Sequence, residues 1–318
     1  MIKFSVIIPN YNHADFLKER IDSVLNQSQA PEEVILLDDC STDKSRDIIE
    51  QYKSNPLVKQ IVHNTKNSGS PFKQWKKGIL LAREDWIWIA ESDDVADKLF
   101  LETANLAIQQ NPATGIFYSD SVCRPEGKIV ERYTFFSVLK NKFFKTTKWS
   151  SDYFLNGEEE INQNLKYFCT INNTSAAIFR KDLLLSMLNK LETFIYHGDW
   201  YCQLAATCQT TIYYSAKPLN TFRVHENSFL SHSKATQSKL ECFRILDFLY
   251  KQDFVDDKSK LIEFFTLQYL GFGFMKEGYR YGKILFASYA AINKSLSKKV
   301  LRSLIWQKFT GKKHKVIF

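Results

Sequence analysis

The first 95 residues alternate between short apolar runs and longer segments whose apolar residues recur three or four positions apart. The apolar runs predict buried strands at 3–9, 33–37, 58–62 and 86–90. The longer segments predict helices from Asp15, as N-cap, to about residue 25, at 41–53 and at 72–82. Strands and helices that alternate in this way form βαβ units, so the pattern predicts a doubly wound, mostly parallel sheet.

After residue 95 the pattern becomes less regular. It predicts strands at 115–119, 175–180 and 211–214, and pairing of 128–136 with a neighbouring strand. It predicts helices at 97–110, 181–191, 199–208 and from about residue 234 onward. The segment 140–166 is weakly patterned and predicts loops and short helices that cover a site. The whole chain is therefore expected to be an α/β protein with a helical C-terminal extension.

The composition is that of a folded globular protein with a substantial core. Of 318 residues, 44% are hydrophobic and 25% are charged. The aromatic content of 14% suits either a large core or a sugar-binding surface. The six cysteines form no CxxC pair, which argues against a zinc site. Because the start lacks a signal-peptide pattern and no apolar run approaches membrane-spanning length, we expect a cytoplasmic protein with free thiols.

The net charge of +8 comes from the C-terminal segment, since residues 293–318 contain eight Lys and Arg and no Asp or Glu. A basic tail differs from a basic domain surface, so nucleic acid is not the expected partner. Apolar residues such as Leu296, Val300 and Leu304 recur here at helical spacing. An amphipathic basic helix suits peripheral contact with the anionic inner face of a membrane, and docking on the protein is the alternative.

Two of the predicted strands end in carboxylates. Asp38 and Asp39 follow the second strand, and Glu91, Asp93 and Asp94 follow the fourth. Each pair of aspartates has a helix N-cap as its alternative role. Clustered carboxylates repel one another, and a bound Mg²⁺ or Mn²⁺ relieves that repulsion. Because ligands of open α/β sheets bind beyond the carboxyl ends of the strands, the pattern predicts a metal site with a phosphate-bearing ligand. The first 95 residues contain no GxGxxG sequence and no Walker A sequence, which argues against NAD binding and against a P-loop NTPase.

Four segments, in this order and spacing, resemble family 2 glycosyltransferases of the GT-A fold: VIIPNYNHADFLKERIDSVLNQS, EVILLDDCSTDKS, NSGS and IWIAESDD. The resemblance covers about residues 1–230. It implies a Rossmann-like catalytic domain over 1–230, with a nucleotide-binding half at 1–95 and an acceptor half at 96–230, followed by a helical, basic extension at 231–318. It also implies transfer from a nucleoside diphosphate sugar, with inversion and with Mn²⁺ or Mg²⁺.

The resemblance assigns four residues to the nucleotide. Pro9 and Tyr11 fall where the family packs the nucleobase, and Tyr11 offers the stacking ring. Asp39 matches the acid that accepts the imide N–H of the base, which favours uracil. Lys73 follows the Gly/Ser loop and either approaches a donor phosphate or is a solvated helix lysine.

The resemblance assigns further residues to the diphosphate and the metal. Asp93 is expected at the ribose or the metal, and Asp94 at the metal. Glu91 stands where the family more often has aspartate, and it is a candidate for the diphosphate or the acceptor. Arg223 and His225 point the same way if the chain is extended, which suits a diphosphate or its metal.

An inverting transfer needs a base that takes the proton of the acceptor hydroxyl. The family places an acid before a late helix, and Asp199 in His197-Gly198-Asp199-Trp200 matches it, with a plain N-cap as the alternative. Gly198 is expected to permit a tight turn. Trp200 either forms a wall for a sugar ring or packs in the core, and Asn173 either faces the acceptor or lies in a polar turn.

The predicted function is therefore an inverting, metal-dependent glycosyltransferase that uses a UDP-sugar and a saccharide or lipid-linked acceptor, in bacterial surface polysaccharide synthesis. One alternative is a nucleotidylyltransferase, which usually has a Gly-rich, basic loop after the first strand, where this chain has PNYNHAD. Another is a catalytically inactive protein that binds nucleotide sugars.

Overall fold

A computed structural model describes residues 1–125, 134–225, 235–270 and 278–310. The chain forms two compact units. The first comprises Met1–Gly157 and Thr170–Ser228, and the second comprises Glu158–Cys169 and Phe229–Phe318.

The first unit contains one mixed sheet. Its described strands are β1 (Phe4–Asn10), β2 (Glu33–Asp38), β3 (Val58–His63), β4 (Trp86–Ile89), β5 (Val95–Ala96), β6 (Thr114–Pro125), β7 (Thr134–Phe135), β8 (Tyr153–Asn156), β9 (Ala177–Arg180) and β10 (Thr211–Val224). The order is β3-β2-β1-β4-β9-β6-β10-β5, with β7 beside β6 and β8 beside β10. The strands β3, β2, β1 and β4 are parallel, so the carboxyl ends of β1, β2 and β4 lie at the same edge.

Helices cover both faces of the parallel strands. The described α-helices of the first unit are α1 (Ala14–Leu25), α2 (Ser45–Glu50), α3 (Pro71–Leu81), α4 (Phe100–Gln110), α5 (Phe136–Phe144), α7 (Lys181–Leu185), α8 (Leu188–Leu191) and α9 (Gly198–Thr207). The short helix α6 (Gly157–Glu160) starts at the last residue before the segment of the second unit. Apolar residues of α1, α2 and α4 form one core with Val6 and Trp88. On the other face α3 lies so close to β1 that a Cβ at Gly78 would come within 2.3 Å of Ile7 Cγ2.

The predicted alternation of strands and helices over the first 95 residues is confirmed. The predicted N-cap is wrong, because α1 begins at Ala14, whose N–H donates to Asp43 Oδ2 at 2.8 Å. The predicted helix at 181–191 is divided into α7 and α8. The strand predicted at 211–214 continues to Val224, because β10 pairs with β6 along its length and also with β5 and β8. Of the predicted pairing segment 128–136, β7 pairs with β6, and residues 128–133 lie outside the described residues.

The second unit is helical in its described part, with α10 (Ala235–Tyr250), α11 (Lys258–Phe265), α12 (Gly278–Ile292) and α13 (Lys294–Thr310). The segment 158–169, expected in the first domain, belongs to this unit because Asn162 Nδ2 donates to Phe254 O at 2.9 Å and Lys166 pairs with Asp256.

In α13, Leu296 and Val300 are buried. The end of the basic tail, 311–318, lies outside the described residues. Among the described residues, no helix has the length and apolar character that crossing a membrane requires.

Candidate active site

The loops after β1 and β2 are joined by hydrogen bonds at the carboxyl edge of the sheet. Asn10 Nδ2 donates to Asp38 Oδ1 at 3.3 Å and to Ser41 Oγ at 3.1 Å. Asn12 has a φ of 56°, which asparagine tolerates better than most residues, and its Oδ1 accepts from Thr42 N at 2.7 Å. The two loops therefore form one continuous wall at the sheet edge where such sheets bind ligands.

Three residues predicted to bind the nucleotide lie at or near this wall. Pro9 is buried in β1, in register with Leu37. Tyr11 is 45% exposed, so its aromatic ring is accessible to a ligand, whereas Pro9 is not accessible. Lys73 is exposed near the start of α3, and its Nζ donates to Ser68 O at 2.9 Å. The nucleotide-binding roles of these residues stay predictions.

The carboxylate of Asp39 is buried and organises the Gly/Ser loop. It accepts hydrogen bonds from the Ser68 N–H at 2.9 Å, from Ser68 Oγ at 2.7 Å, from Asn64 Nδ2 at 2.6 Å and from Gln74 Nε2 at 2.8 Å. Since a carboxylate has about four lone-pair sites, these donors nearly saturate it. The predicted hydrogen bond from a nucleobase would therefore share an oxygen that already has protein donors.

Two histidines and an aspartate converge beside the loop after β1, which carries His13. One ligand atom from each of His13, Asp93 and His225 lies within 4.8 Å of the others. His13 Nδ1 is hydrogen-bonded to Ser92 Oγ at 2.8 Å, and His225 Nε2 donates to Asp93 Oδ2 at 3.2 Å. His225 Nδ1 is buried and has no hydrogen-bond partner among the described residues. Imidazole and carboxylate are both metal ligands, so this donor set fits a divalent cation.

Asp94, predicted as a metal ligand, lies next to this group but is held by other residues. It is 1% exposed, and its Oδ2 accepts from Asn173 Nδ2 at 2.8 Å. Arg20 Nη2 is 3.9 Å from the same oxygen, and Arg223 N donates to Oδ1 at 3.4 Å. The structure thus brings Asn173, Arg223 and Asp94 together, a grouping that the sequence did not predict, and direct metal contact by Asp94 stays a prediction.

The acidic turn that follows β4 cannot readily hold three negative charges. Burial and the charge of Asp93 raise the pKa of Glu91 to about 8 and the pKa of Asp94 to about 7. Burial also acts to raise the pKa of Asp93, but the hydrogen bond from His225 and the charge of His13 outweigh it and hold that pKa below its usual range. Glu91 Oε1 accepts from Trp75 Nε1 at 2.6 Å, so its contact is with α3.

Two residues of the site, His13 and Arg20, are missed by sequence reasoning. Arg20 is fully buried on α1, its Nε donates to Glu91 O at 2.8 Å, and its guanidinium lies 5.5 Å from the Trp88 ring centroid. A signal was present, because an arginine three residues after Leu17 falls on the apolar stripe of the helix. The signal for His13 is its position in the loop after β1, beside the acidic end of the neighbouring strand.

Replacing Arg20 with methionine is expected to lower the free energy of unfolding by about 2 kcal/mol, because Glu91 O loses its donor and Asp94 loses its nearest positive charge. Lys18→Met removes a cation from the exposed face of the same helix and should change stability by less than about 0.5 kcal/mol. Urea denaturation of both variants measures the difference. Equal stability of the two would contradict a role for Arg20 in holding the turn.

Arg223 is tied to α1. It is 1% exposed, its guanidinium pairs with Glu19, and its Cζ lies 5.2 Å from the Phe16 ring centroid. Phe16 also packs against His225, with ring centroids 4.6 Å apart. The predicted extended geometry holds for Arg223 at the end of β10, and its role toward a diphosphate stays a prediction.

Asp199 lies in the first turn of α9, and its Oδ1 accepts from Trp200 N at 2.7 Å. The predicted reason for Gly198 is wrong. Its φ is not positive, and the glycine is needed instead because a Cβ there would come within 2.7 Å of the Phe72 ring. Trp200 is 3% exposed, which matches the packing alternative.

Hydrogen bonds connect α9 and the residues before it to the rest of the site. Gln203, one turn after Asp199, donates through Nε2 to Ile171 O at 2.7 Å, in the segment that carries Asn173. Ser70 Oγ, in the loop held by Asp39, donates to Phe194 O at 2.9 Å. The start of α9 is therefore anchored both to the Gly/Ser loop and to the segment that binds Asp94.

The mixed α/β sheet, with polar loops and a convergent His/Asp group at its carboxyl edge, is of the Rossmann-like class, whose members bind ligands at this edge. The model of the family described as "Glycosyl transferase family 2" matches residues 5–187, more than half of the chain. The chain therefore belongs to glycosyl transferase family 2.

Curated relatives match shorter segments. The putative teichuronic acid biosynthesis glycosyltransferase TuaG of Bacillus subtilis is 31% identical over 144 residues, which is 43% of this chain and 57% of that protein. The poly(ribitol-phosphate) beta-N-acetylglucosaminyltransferase TarS of Staphylococcus aureus is 34% identical over 113 residues, 35% of this chain and 20% of TarS. The matched segments thus span less than two thirds of these relatives.

A solved structure of S. aureus TarS 1-349 in complex with UDP-GlcNAc matches almost the whole chain. The TM-score is 0.70 at 18% sequence identity, and the match covers 99% of this chain and 93% of that one. At this identity the likeness shows the fold, and it confirms the predicted GT-A architecture with its helical C-terminal segment.

Proposed function

We propose that the protein is an inverting, metal-dependent glycosyltransferase that takes its sugar from a UDP-sugar. The observation that carries the proposal is the convergence of His13, Asp93 and His225 at the sheet edge where β1, β2 and β4 end. Family membership supports the reaction class. The half-exposed Tyr11 and the buried Asp39 support a nucleobase site in the half formed by residues 1–95.

The residues have separate roles in this reaction. When bound, a divalent cation would stabilise the negative charge of the departing nucleoside diphosphate. His13, Asp93 and His225 would hold it, with Asp94 as a further ligand or as the support of the acidic turn. Arg223 would face the diphosphate, and Asp199 would take the proton of the acceptor hydroxyl. Glu91, Lys73 and Asn173 would position the substrates.

The donor set favours Mn²⁺ over Mg²⁺. Two of the three converging ligands are imidazoles, His13 and His225. Mg²⁺ prefers oxygen ligands and keeps several waters, whereas affinity for nitrogen ligands rises from Mn²⁺ along the first transition row. Mn²⁺ combines the acceptance of carboxylate with the acceptance of imidazole, so it is the proposed cofactor.

The acceptor is proposed to be a saccharide or lipid-linked saccharide of a bacterial surface polymer. The names of the relatives support this, since they concern teichuronic acid and poly(ribitol-phosphate).

We place the protein in the cytoplasm, peripherally at the inner face of the membrane. The geometry of α13 supports that location, because Leu296 and Val300 are buried while Lys298 and Lys299 are exposed. The helix is thus docked by one face and presents basic residues on another.

A thermal-shift screen of UDP, GDP and UDP-sugars, each with Mn²⁺, with Mg²⁺ and with EDTA, tests the donor and the metal. Binding to the folded state raises its apparent stability, so UDP compounds with Mn²⁺ should give the largest increase in Tm. Slow release of UDP from the best donor marks a transferase, and pyrophosphate exchange would mark a nucleotidylyltransferase. The absence of any Mn²⁺-dependent shift would contradict the proposal.

A further inference from the structure

A groove in the second unit is lined by three basic side chains and no acidic one. It lies between the end of α10, the start of α11 and the middle of α13, and has a cavity volume of about 380 Å³. Its basic residues are Lys258, Lys299 and Arg302, and hydroxyl groups come from Tyr250, Ser259 and Ser303. Three cations and three hydroxyl groups form a donor set that suits a phosphate group.

Two of the cations gather around one aromatic ring. The Nζ atom of Lys299 is 4.7 Å from the ring centroid of Tyr250, and that of Lys258 is 5.5 Å from it. Lys299 also donates to the hydroxyl of Tyr250. The negative face of the ring attracts ammonium groups, which places two positive charges beside one side chain of the groove. A bound anion would be attracted by both charges.

The basic residues of the groove have no carboxylate partner among the described residues. The second unit does not lack acids, since Lys251 pairs with Asp247 on α10 and Lys166 pairs with Asp256. Asp257, which precedes Lys258, is the N-cap of α11, and its Oδ1 accepts a hydrogen bond from Lys260 N at 3.0 Å. The positive charge of the groove is therefore left without compensation by neighbouring acids of the described chain.

The outer face of α13 continues the basic surface and ends in apolar side chains. Lys294 and Lys298 are exposed on it, and so are Ile305 and Trp306, at 49% and 46%. Indole rings and aliphatic side chains lie at the level of lipid headgroups and just below it, while lysine and arginine reach the phosphates. A free phosphate would need the groove alone, whereas a membrane surface explains the groove and the apolar end of the helix together.

We propose that the groove between α10, α11 and α13 binds the headgroup phosphate of an anionic phospholipid. The helix α13 then lies on the membrane surface, with Lys299 and Arg302 at the phosphate and with Trp306 in the interface. This inference names the lipid chemistry and the binding residues for the membrane contact proposed above, and it does not depend on the transferase reaction.

Vesicle sedimentation tests the site without any nucleotide. The full chain should bind phosphatidylcholine vesicles that contain phosphatidylglycerol and should not bind pure phosphatidylcholine. Lys299→Glu with Arg302→Glu should lower the affinity at least about tenfold, since each basic residue at an anionic surface contributes substantially. The matched control is Lys66→Glu with Lys98→Glu, which makes the same charge change at exposed positions of the first unit and should bind like the unaltered chain.

Two outcomes would overturn the proposal. Equal weakening by the groove variant and the control variant would mean that net charge alone governs binding. Millimolar inorganic phosphate binding at the groove, in a chain that does not sediment with anionic vesicles, would assign the groove to a soluble phosphate. Trp306→Ala should weaken vesicle binding and leave phosphate binding unchanged. An unaltered Tm and an unaltered UDP-induced shift in the groove variant confirm that its loss is neither unfolding nor loss of the donor site.

Discussion

Replacing Asp94 with asparagine is expected to lower the Mn²⁺-dependent affinity for UDP by at least about tenfold. Loss of a group that supports a metal ligand typically lowers metal affinity 10- to 100-fold, and loss of a ligand lowers it further. Asparagine keeps an oxygen that can accept from Asn173 Nδ2, so the local hydrogen bond is retained. The change is measured by titrating UDP calorimetrically in Mn²⁺ and in EDTA.

The same variant should not be less stable in the absence of metal. Burial raises the pKa of Asp94 to about 7, above its usual value near 3.8. When the pH is below the usual pKa, the carboxyl group is protonated in both the folded and the unfolded chain. When the pH lies between the usual pKa and the raised pKa, only the folded chain keeps the proton. Stability therefore falls as pH rises through this window, and a neutral amide removes that loss. Denaturation in EDTA at pH 8 should show Asp94→Asn at least as stable as the unaltered chain.

Asp47→Asn is the control for the loss of UDP affinity, since this carboxylate is exposed in the first turn of α2. Asp93→Asn separates the two possible ligand sets. If Asp93→Asn abolishes Mn²⁺-dependent binding and Asp94→Asn leaves it undiminished, the cation is held by His13, Asp93 and His225 without Asp94. If neither variant changes the metal dependence, the metal site proposed at this turn is wrong.

Replacing Asp199 with asparagine is expected to lower turnover about 1000-fold while the affinity for the donor stays within about twofold. General-base catalysis typically contributes between about 10² and 10⁴, and an amide cannot take the proton of the acceptor hydroxyl. The amide oxygen can still accept from Trp200 N, so the start of α9 should be preserved. The measurements are UDP affinity in Mn²⁺ and the rate of UDP release from the donor identified by the thermal-shift screen.

The chain offers a closely matched control for this variant. Asp182 lies in the first turn of α7, and its Oδ1 accepts from Leu183 N at 2.9 Å, as Oδ1 of Asp199 does from Trp200 N. Asp182→Asn should leave both UDP affinity and the rate of UDP release unchanged. If Asp199→Asn retains full activity, or if Asp182→Asn loses as much, Asp199 is not the base and its carboxylate only caps the helix.

The sequence predicts the fold of residues 1–95 well because its pattern is local. Each of β1, β2 and β4 is a short apolar run bounded by polar residues, and each is followed by a loop or turn at the same sheet edge. Since parallel strands of one sheet present their carboxyl ends on the same side, residue order is enough to place the acidic ends of β2 and β4 near each other.

The parts that were missed depend on pairing between distant segments. The apolar pattern of β10 stops near Tyr214, yet the strand continues to Val224 because β6 and β5 supply its hydrogen bonds. The burial of Arg20 follows from the backbone carbonyl of Glu91, which lies 71 residues further along the chain. No local pattern specifies such a partner, so neither feature could be derived from residue spacing alone.

The length of β10 has a consequence for how the protein matures during synthesis. His13 belongs to the first loop of the chain, whereas His225 follows β10 and stands 132 residues after Asp93. A nascent chain that has completed β1 to β4 already contains the loops after β1 and β2 but lacks His225, the third converging side chain. The proposed metal site should therefore be completed only after β10 has emerged from the ribosome and paired with β6, and an unfinished chain should bind Mn²⁺ more weakly.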